Sequence, residues 1–256
     1  MKVLTLNNRF ALFVIYYLIH KNFFFGFIYK FFFKNFYYNN LVFNLKSFRL
    51  PISSYSSFFF KTYEYNDRFL VEKYINKDNR CIIIGGGLGF IASLCYLKSQ
   101  KNILVFEIDV SICENLSKNL ERNLCKFHLF NKNLLINKSS FKKNRSFFYH
   151  DNFLSNSIYR KSNKKLIVKN ISSNNIANFK KFNTLVIDAE GIEEYYINNI
   201  KFVNNINFLF FELHYDLLDK KKIEKINRIL KKNNFFLVDK CFNSFFYKRI
   251  EFASKV

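Results

Sequence analysis

Gly85, Gly86, Gly87 and Gly89 are four of only six glycines in a chain of 256 residues whose single proline is Pro51. A fifth glycine, Gly191, follows two acids in Asp188-Ala189-Glu190-Gly191. Glycine reaches positive φ and lets a ligand approach bare backbone, so this density marks a place built for close approach. The cluster follows Cys81-Ile82-Ile83-Ile84, an apolar β-branched run, and precedes Phe90-Ile91-Ala92-Ser93-Leu94, which reads as a helix start. Strand, glycine turn and helix make the nucleotide-binding corner of an open α/β sheet. Glu107 closes a second apolar run, Ile103 to Phe106, and lies 22 residues beyond Gly85. A carboxylate there can accept both hydroxyls of a ribose, and Asp109 could share or take that role.

The spacing narrows the ligand. A dinucleotide fingerprint requires a third glycine where Phe90 stands, and no Gly-Lys-Ser/Thr comes after the turn to make a phosphate loop. Gly85-Gly86-Gly87-Leu88-Gly89 is instead a Gly-x-Gly-x-Gly turn, the form suited to S-adenosyl-L-methionine, which has no pyrophosphate to seat at a helix N-terminus. A second group of chemically able residues comes later. Asp188 ends one apolar run, Glu190 opens the next turn, and Glu212 with His214 ends another run. Carboxyl ends of parallel strands line one edge of a sheet, and residues two apart on a strand share a face. Asp188, Glu190 and His214 are therefore the candidate catalytic residues, with Asp188 or His214 as a general base. Asp188, Glu190 and His214 also offer oxygen and imidazole ligands to a metal, although no metal is expected.

The elements that must position these groups alternate in type. The pattern predicts a helix over 63–75, strand 81–84, helix 88–99, strand 103–107, helix 111–124 and strand 127–131. After a polar stretch it predicts strand 184–188, a helix from Glu193, strand 208–214, helix 219–233, and strands 235–239 and 244–250. Short apolar runs alternating with helices imply a parallel, doubly wound sheet. Residues 132–182, rich in Lys, Asn and Ser, read as an insertion that shapes the substrate region. Leu41 to Ile52 suggests a strand pair around Pro51. Residues 1–50 are an aromatic and basic N-terminal extension, and 51–256 the main domain. Phe10 to Ile19 is apolar but too short to span a bilayer, and lysines interrupt the aromatic tract beyond it. Residues 1–40 serve either as an interfacial anchor at a membrane surface or as a helical extension packed on the domain.

The net charge of +22 would ordinarily point to nucleic acid or an anionic membrane. The lysines are spread along the chain among asparagines, no RNA-binding module is recognisable, and nucleic acid is not expected as a partner. Five scattered cysteines with no CxxC pair indicate a reducing compartment, and the chain is expected to be cytoplasmic.

Together, IIIGGGLGFIA, VFEID, ENLSKNLERN, LVIDAEGIEEYYI and FFELH resemble the FkbM-type methyltransferase family, in order and spacing over about residues 63–250. The Asp-x-Glu-Gly-x-Glu element is the family-specific piece. The resemblance implies a Rossmann-like methyltransferase fold, S-adenosyl-L-methionine as donor, and O-methylation of a hydroxyl on a sugar, glycan or polyketide-like small molecule. It implies that Gly85, Gly86, Gly87 and Gly89 hold the methionine part, Glu107 the ribose, and that Asn131 lies on the adenine side. Asp188, Glu190 and Glu193 would form the acidic element beside the transferred methyl. The family often has an acid at the position of Ile83, where a backbone carbonyl would have to serve the methionine amino group here. It often has lysine at the position of Val186. The rival readings are a nucleic-acid methyltransferase and a non-catalytic, membrane-associated scaffold that keeps the fold.

Overall fold

Runs such as Cys81-Ile82-Ile83-Ile84 and Ile103-Leu104-Val105-Phe106 have no polar alternation, so both of their faces must be covered. The computed structural model describes residues 22–46, 48, 50–136, 146–148, 165–167, 169–189, 193–215 and 220–250. In chain order come helix α1 (Phe23–Phe32), the hairpin β1 (Asn35–Tyr38) and β2 (Leu41–Asn44), and helices α2 (Tyr55–Phe59) and α3 (Tyr65–Tyr74). Next are strand β3 (Cys81–Ile84), α4 (Phe90–Ser99), β4 (Ile103–Phe106), α5 (Val110–Arg122) and β5 (Phe127–Phe130). The polar stretch holds four strands of three residues: β6 (Asn133–Leu135), β7 (Ser146–Phe148), β8 (Lys165–Ile167) and β9 (Asn170–Ser172). The last part contains β10 (Thr184–Ile187), α6 (Glu193–Asn198), β11 (Phe208–Glu212), α7 (Lys220–Lys232), β12 (Phe235–Cys241) and β13 (Ser244–Arg249).

Seven strands form one sheet in the order β12-β13-β11-β10-β3-β4-β5. The five from β11 to β5 are parallel, and β13 runs antiparallel to β11 and β12. Ile83, Val105, Val186 and Phe210 face α3, α4 and α5, while Ile82, Leu104, Leu185 and Phe211 face α6 and α7. This is the mostly parallel, doubly wound sheet of the Rossmann-like methyltransferase fold. The strand order reverses between β3 and β10, so the crevice where such sheets take ligands opens there.

The strand pair lies earlier than the sequence suggests. It spans 35–44, and Pro51 instead precedes a single 3₁₀ turn, Ile52–Ser54, because a proline nitrogen cannot donate to a ladder. The hairpin buries Phe36 and Phe43 against Phe90, in the same core as the sheet. Asn119 of α5, fully buried, secures it: its Oδ1 accepts from Asn44 N at 2.8 Å and its Nδ2 donates to Leu88 O at 3.0 Å. Helix α1 packs through Gly26, where a Cβ would come 2.0 Å from Ile52 O. Its other side exposes Phe23, Phe24, Phe27, Phe31 and Phe32. Of the insertion 132–182, β6 pairs with β9 in parallel and β7 with β8 antiparallel, and the remaining stretches 137–145, 149–164 and 168 lie outside the described residues.

Candidate functional site

The glycine turn lies at the carboxyl end of β3, beside the reversal of strand order. Gly85, Gly87 and Gly89 adopt φ of 89°, 49° and 86°, a region that side chains rarely enter. Gly85 also meets the next strand: a Cβ there would stand 1.8 Å from the carbonyl oxygen of Asp188. At Gly87 a Cβ would meet one heavy atom within 4 Å, Glu64 Oε1 at 3.9 Å, an ordinary van der Waals contact. One glycine thus lets two strand ends close together, and another keeps a positive φ beside Glu64 without crowding it.

Glu107 holds the turn from the end of β4. Its Oε2 accepts from the amides of Gly86 (3.0 Å) and Gly87 (3.2 Å), and its Oε1 accepts from Asp109 N (2.8 Å). The carboxyl is buried, and burial outweighs those three donors, pushing its pKa up to about 7. Asp109 caps the next helix: its Oδ1 accepts from Ser111 N at 2.8 Å as the N-cap of α5. Asn131, after β5, donates from Nδ2 to Glu107 O at 2.9 Å and so stands at the mouth of the same corner.

The second group gathers at the ends of β10 and β11. Asp188, Glu212 and His214 present ligand atoms all within 4.8 Å of one another. His214 Nδ1 pairs with Glu193 Oε1 at 2.7 Å, and Glu193 is completely buried. His214 Nε2 lies 3.9 Å from Glu212 Oε2. Asn243 Nδ2 donates to the other oxygen of Glu212, and Asn66 Nδ2 donates to Asn243 Oδ1 at 2.7 Å. Glu190 lies outside the described residues.

Three residues just before and at the start of α3 complete the cluster, and none was apparent as a site residue in the sequence. Glu64 reaches toward the glycine turn from a strained backbone, φ 46°, at the start of α3. Burial, then the charge of Asp188, pushes its pKa up to about 8. Asp67, in the first turn of α3, is raised by burial and then by Asp188. Asp188 and Glu212 are raised mainly by burial, Glu212 additionally by the negative charge of Asp188. Tyr63 is buried beside Glu64, Asp188 and Glu212, and its hydroxyl makes no hydrogen bond of normal geometry. Nothing local in Tyr63-Glu64-Tyr65 marks these residues; only the folding of α3 over the ends of β10 and β11 brings them in.

No protein-family model matches the chain, and no curated protein matches it in sequence. Among solved structures it resembles a ribosomal protein L11 methylase from Lactobacillus delbrueckii subsp. bulgaricus, at 15% identity and a TM-score of 0.44, over 72% of this chain and 77% of that one. It also resembles a methyltransferase from Pyrococcus furiosus, at 15% identity and a TM-score of 0.42, over 72% and 82% of the two chains. A third likeness is to P. horikoshii TYW2 in complex with MeSAdo, at 9% identity and a TM-score of 0.44, over 83% and 68%. Values this low transfer no activity or ligand from those proteins, and the fold assignment stands on the strand order and the two-faced core.

Proposed function

We propose that this chain is an S-adenosyl-L-methionine-dependent methyltransferase of the FkbM type, acting on a hydroxyl of a sugar, glycan or polyketide-like small molecule. The observation that carries this reading is one corner of the fold. There the positive-φ glycine turn, the buried Glu107 and an acid–imidazole cluster meet at the reversal of strand order. Glu64, whose Oε1 stands beside Gly87, would meet the cofactor's amino-acid end, because it offers a carboxyl where Ile83 offers none. Glu107 would take the ribose hydroxyls, and Asn131 would border the adenine. When bound, the cofactor supplies a methyl group activated on a sulfonium.

This chain's residues then have two tasks. The turn and Glu64 orient the donor, which matters most in an in-line displacement. The cluster accepts the proton that an acceptor hydroxyl must lose, at Asp188 or at Nε2 of His214. Pairing with Glu193 fixes the ring of His214 and leaves Nε2 3.9 Å from Glu212 Oε2. Glu190 belongs to the same proposed acidic element by its place in the sequence.

Calorimetric titration with S-adenosylhomocysteine tests the cofactor assignment. Micromolar binding by the wild type is expected, weakened roughly 10–100-fold in Glu107→Gln, since a hydrogen bond to a charged group is worth about 1.5–3 kcal/mol. No binding by a folded wild type would return the chain to the scaffold reading. A second partner is favoured by the exposed phenylalanines of α1: an anionic membrane surface, touched peripherally. Among the described residues no helix is long and apolar enough to cross a membrane.

A further inference from the structure

We infer that Asp188, Glu212 and His214 form a binding site for one divalent metal ion of the Mn²⁺ type. Their ligand atoms lie within 4.8 Å of one another, so small side-chain shifts bring all three to about 2.0–2.2 Å from a common point. Two carboxylates and one imidazole suit a borderline-hard ion with open positions for water or substrate.

Two observations outside the three ligands support this. Each of the outer ligands is already held by a partner that leaves another atom facing inward. Glu193 takes Nδ1 of His214, and Asn243 takes one oxygen of Glu212. A carboxylate behind a ligating histidine fixes the tautomer that leaves Nε2 for the ion and raises its basicity. Independently, the hydroxyl of Tyr63 is buried near Glu64 first, then Asp188 and Glu212, and makes no hydrogen bond of normal geometry. A buried phenol in that state costs free energy, and water on a metal at this point would supply the missing partner.

The use of the ion rests on the methyltransferase reading; its binding does not. An ion here would polarise an acceptor hydroxyl and lower its pKa. Nε2 of His214 would then be a ligand and no longer a base, leaving the second oxygen of Asp188 to take the proton.

The test is titration of the full chain with Mn²⁺ alone, monitored by electron paramagnetic resonance, with no cofactor present. One saturable site per chain is expected, lost in Glu212→Gln and in His214→Ala. Glu193→Gln touches no ion and should weaken the site by about 10–100-fold. Absence of a saturable site in the wild type overturns the inference, as does a site of unchanged affinity in Glu212→Gln, which would be adventitious surface binding. If a ligand variant fails to fold, the wild type and Glu193→Gln decide. S-adenosylhomocysteine binding is measured separately, so failure of the metal site and failure of the cofactor reading remain distinguishable.

Discussion

Among single residues, Glu107 would tie the proposed cofactor binding to proton concentration. Burial pushes its pKa from the ordinary 4.5 up to about 7, so below neutrality the neutral form dominates. On the proposed cofactor reading, only the ionised form would accept ribose hydroxyls at the strength of charge-assisted bonds. Affinity for S-adenosylhomocysteine should therefore rise between pH 6 and pH 8, by up to about tenfold from the ionisation of Glu107. Calorimetry across that range checks it, and Glu107→Gln should flatten the slope, leaving the part due to Glu64, whose pKa burial pushes up to about 8. Folding responds with the opposite sign. An acid raised by burial contributes its full stability below the ordinary carboxylate range, and that contribution is lost as pH climbs through about 7. Glu107 and the glycines were legible in the sequence because a strand end and a turn fix them locally. Glu64 was not, since its place opposite Gly87 depends on how α3 crosses the sheet.

At the scale of the element, the turn between β3 and α4 separates two demands that a run of glycines conceals. Gly85 is needed for closure against β10, and Gly87 for its positive φ beside Glu64. Gly85→Ala would force a Cβ into the Asp188 carbonyl at an unfavourable φ, and a loss of at least about 3 kcal/mol is expected. For a chain of this size that lowers the thermal midpoint by roughly 6 °C or more. Gly87→Ala meets only strain, about 1–2 kcal/mol, and should instead show its main effect in cofactor affinity. Thermal unfolding and calorimetry on the two variants separate the roles; equal stability losses would refute the division. Strands β3, β4 and β10 could be read from unbroken apolar runs. The hairpin could not, because Asn35-Phe36-Tyr37-Tyr38 continues an aromatic tract with no change of composition at its edge. Its place is set by Asn119 and Asn123, whose Oδ1 atoms accept from Asn44 N and Val42 N.

At the scale of the whole molecule, a net charge of +22 coexists with an aromatic face on α1 and a buried nest of acids. Phe31 and Phe24 are 73% and 65% exposed. Rings and scattered lysines together suit an interfacial contact with anionic lipid. The chain should sediment with phosphatidylserine-containing vesicles, less so at high salt, and Phe27→Asp with Phe31→Asp should reduce that binding about tenfold or more. Vesicle binding unchanged by both substitutions would remove α1 from the contact. Asn119 bears on any attempt to separate that face from the rest. One buried amide grips the hairpin backbone on one side and the carbonyl of Leu88, inside the glycine turn, on the other. Deleting the N-terminal segment through the hairpin to gain solubility would leave that amide half-paired against the turn. The shortened protein would lose the rigidity of the loop it was made to study.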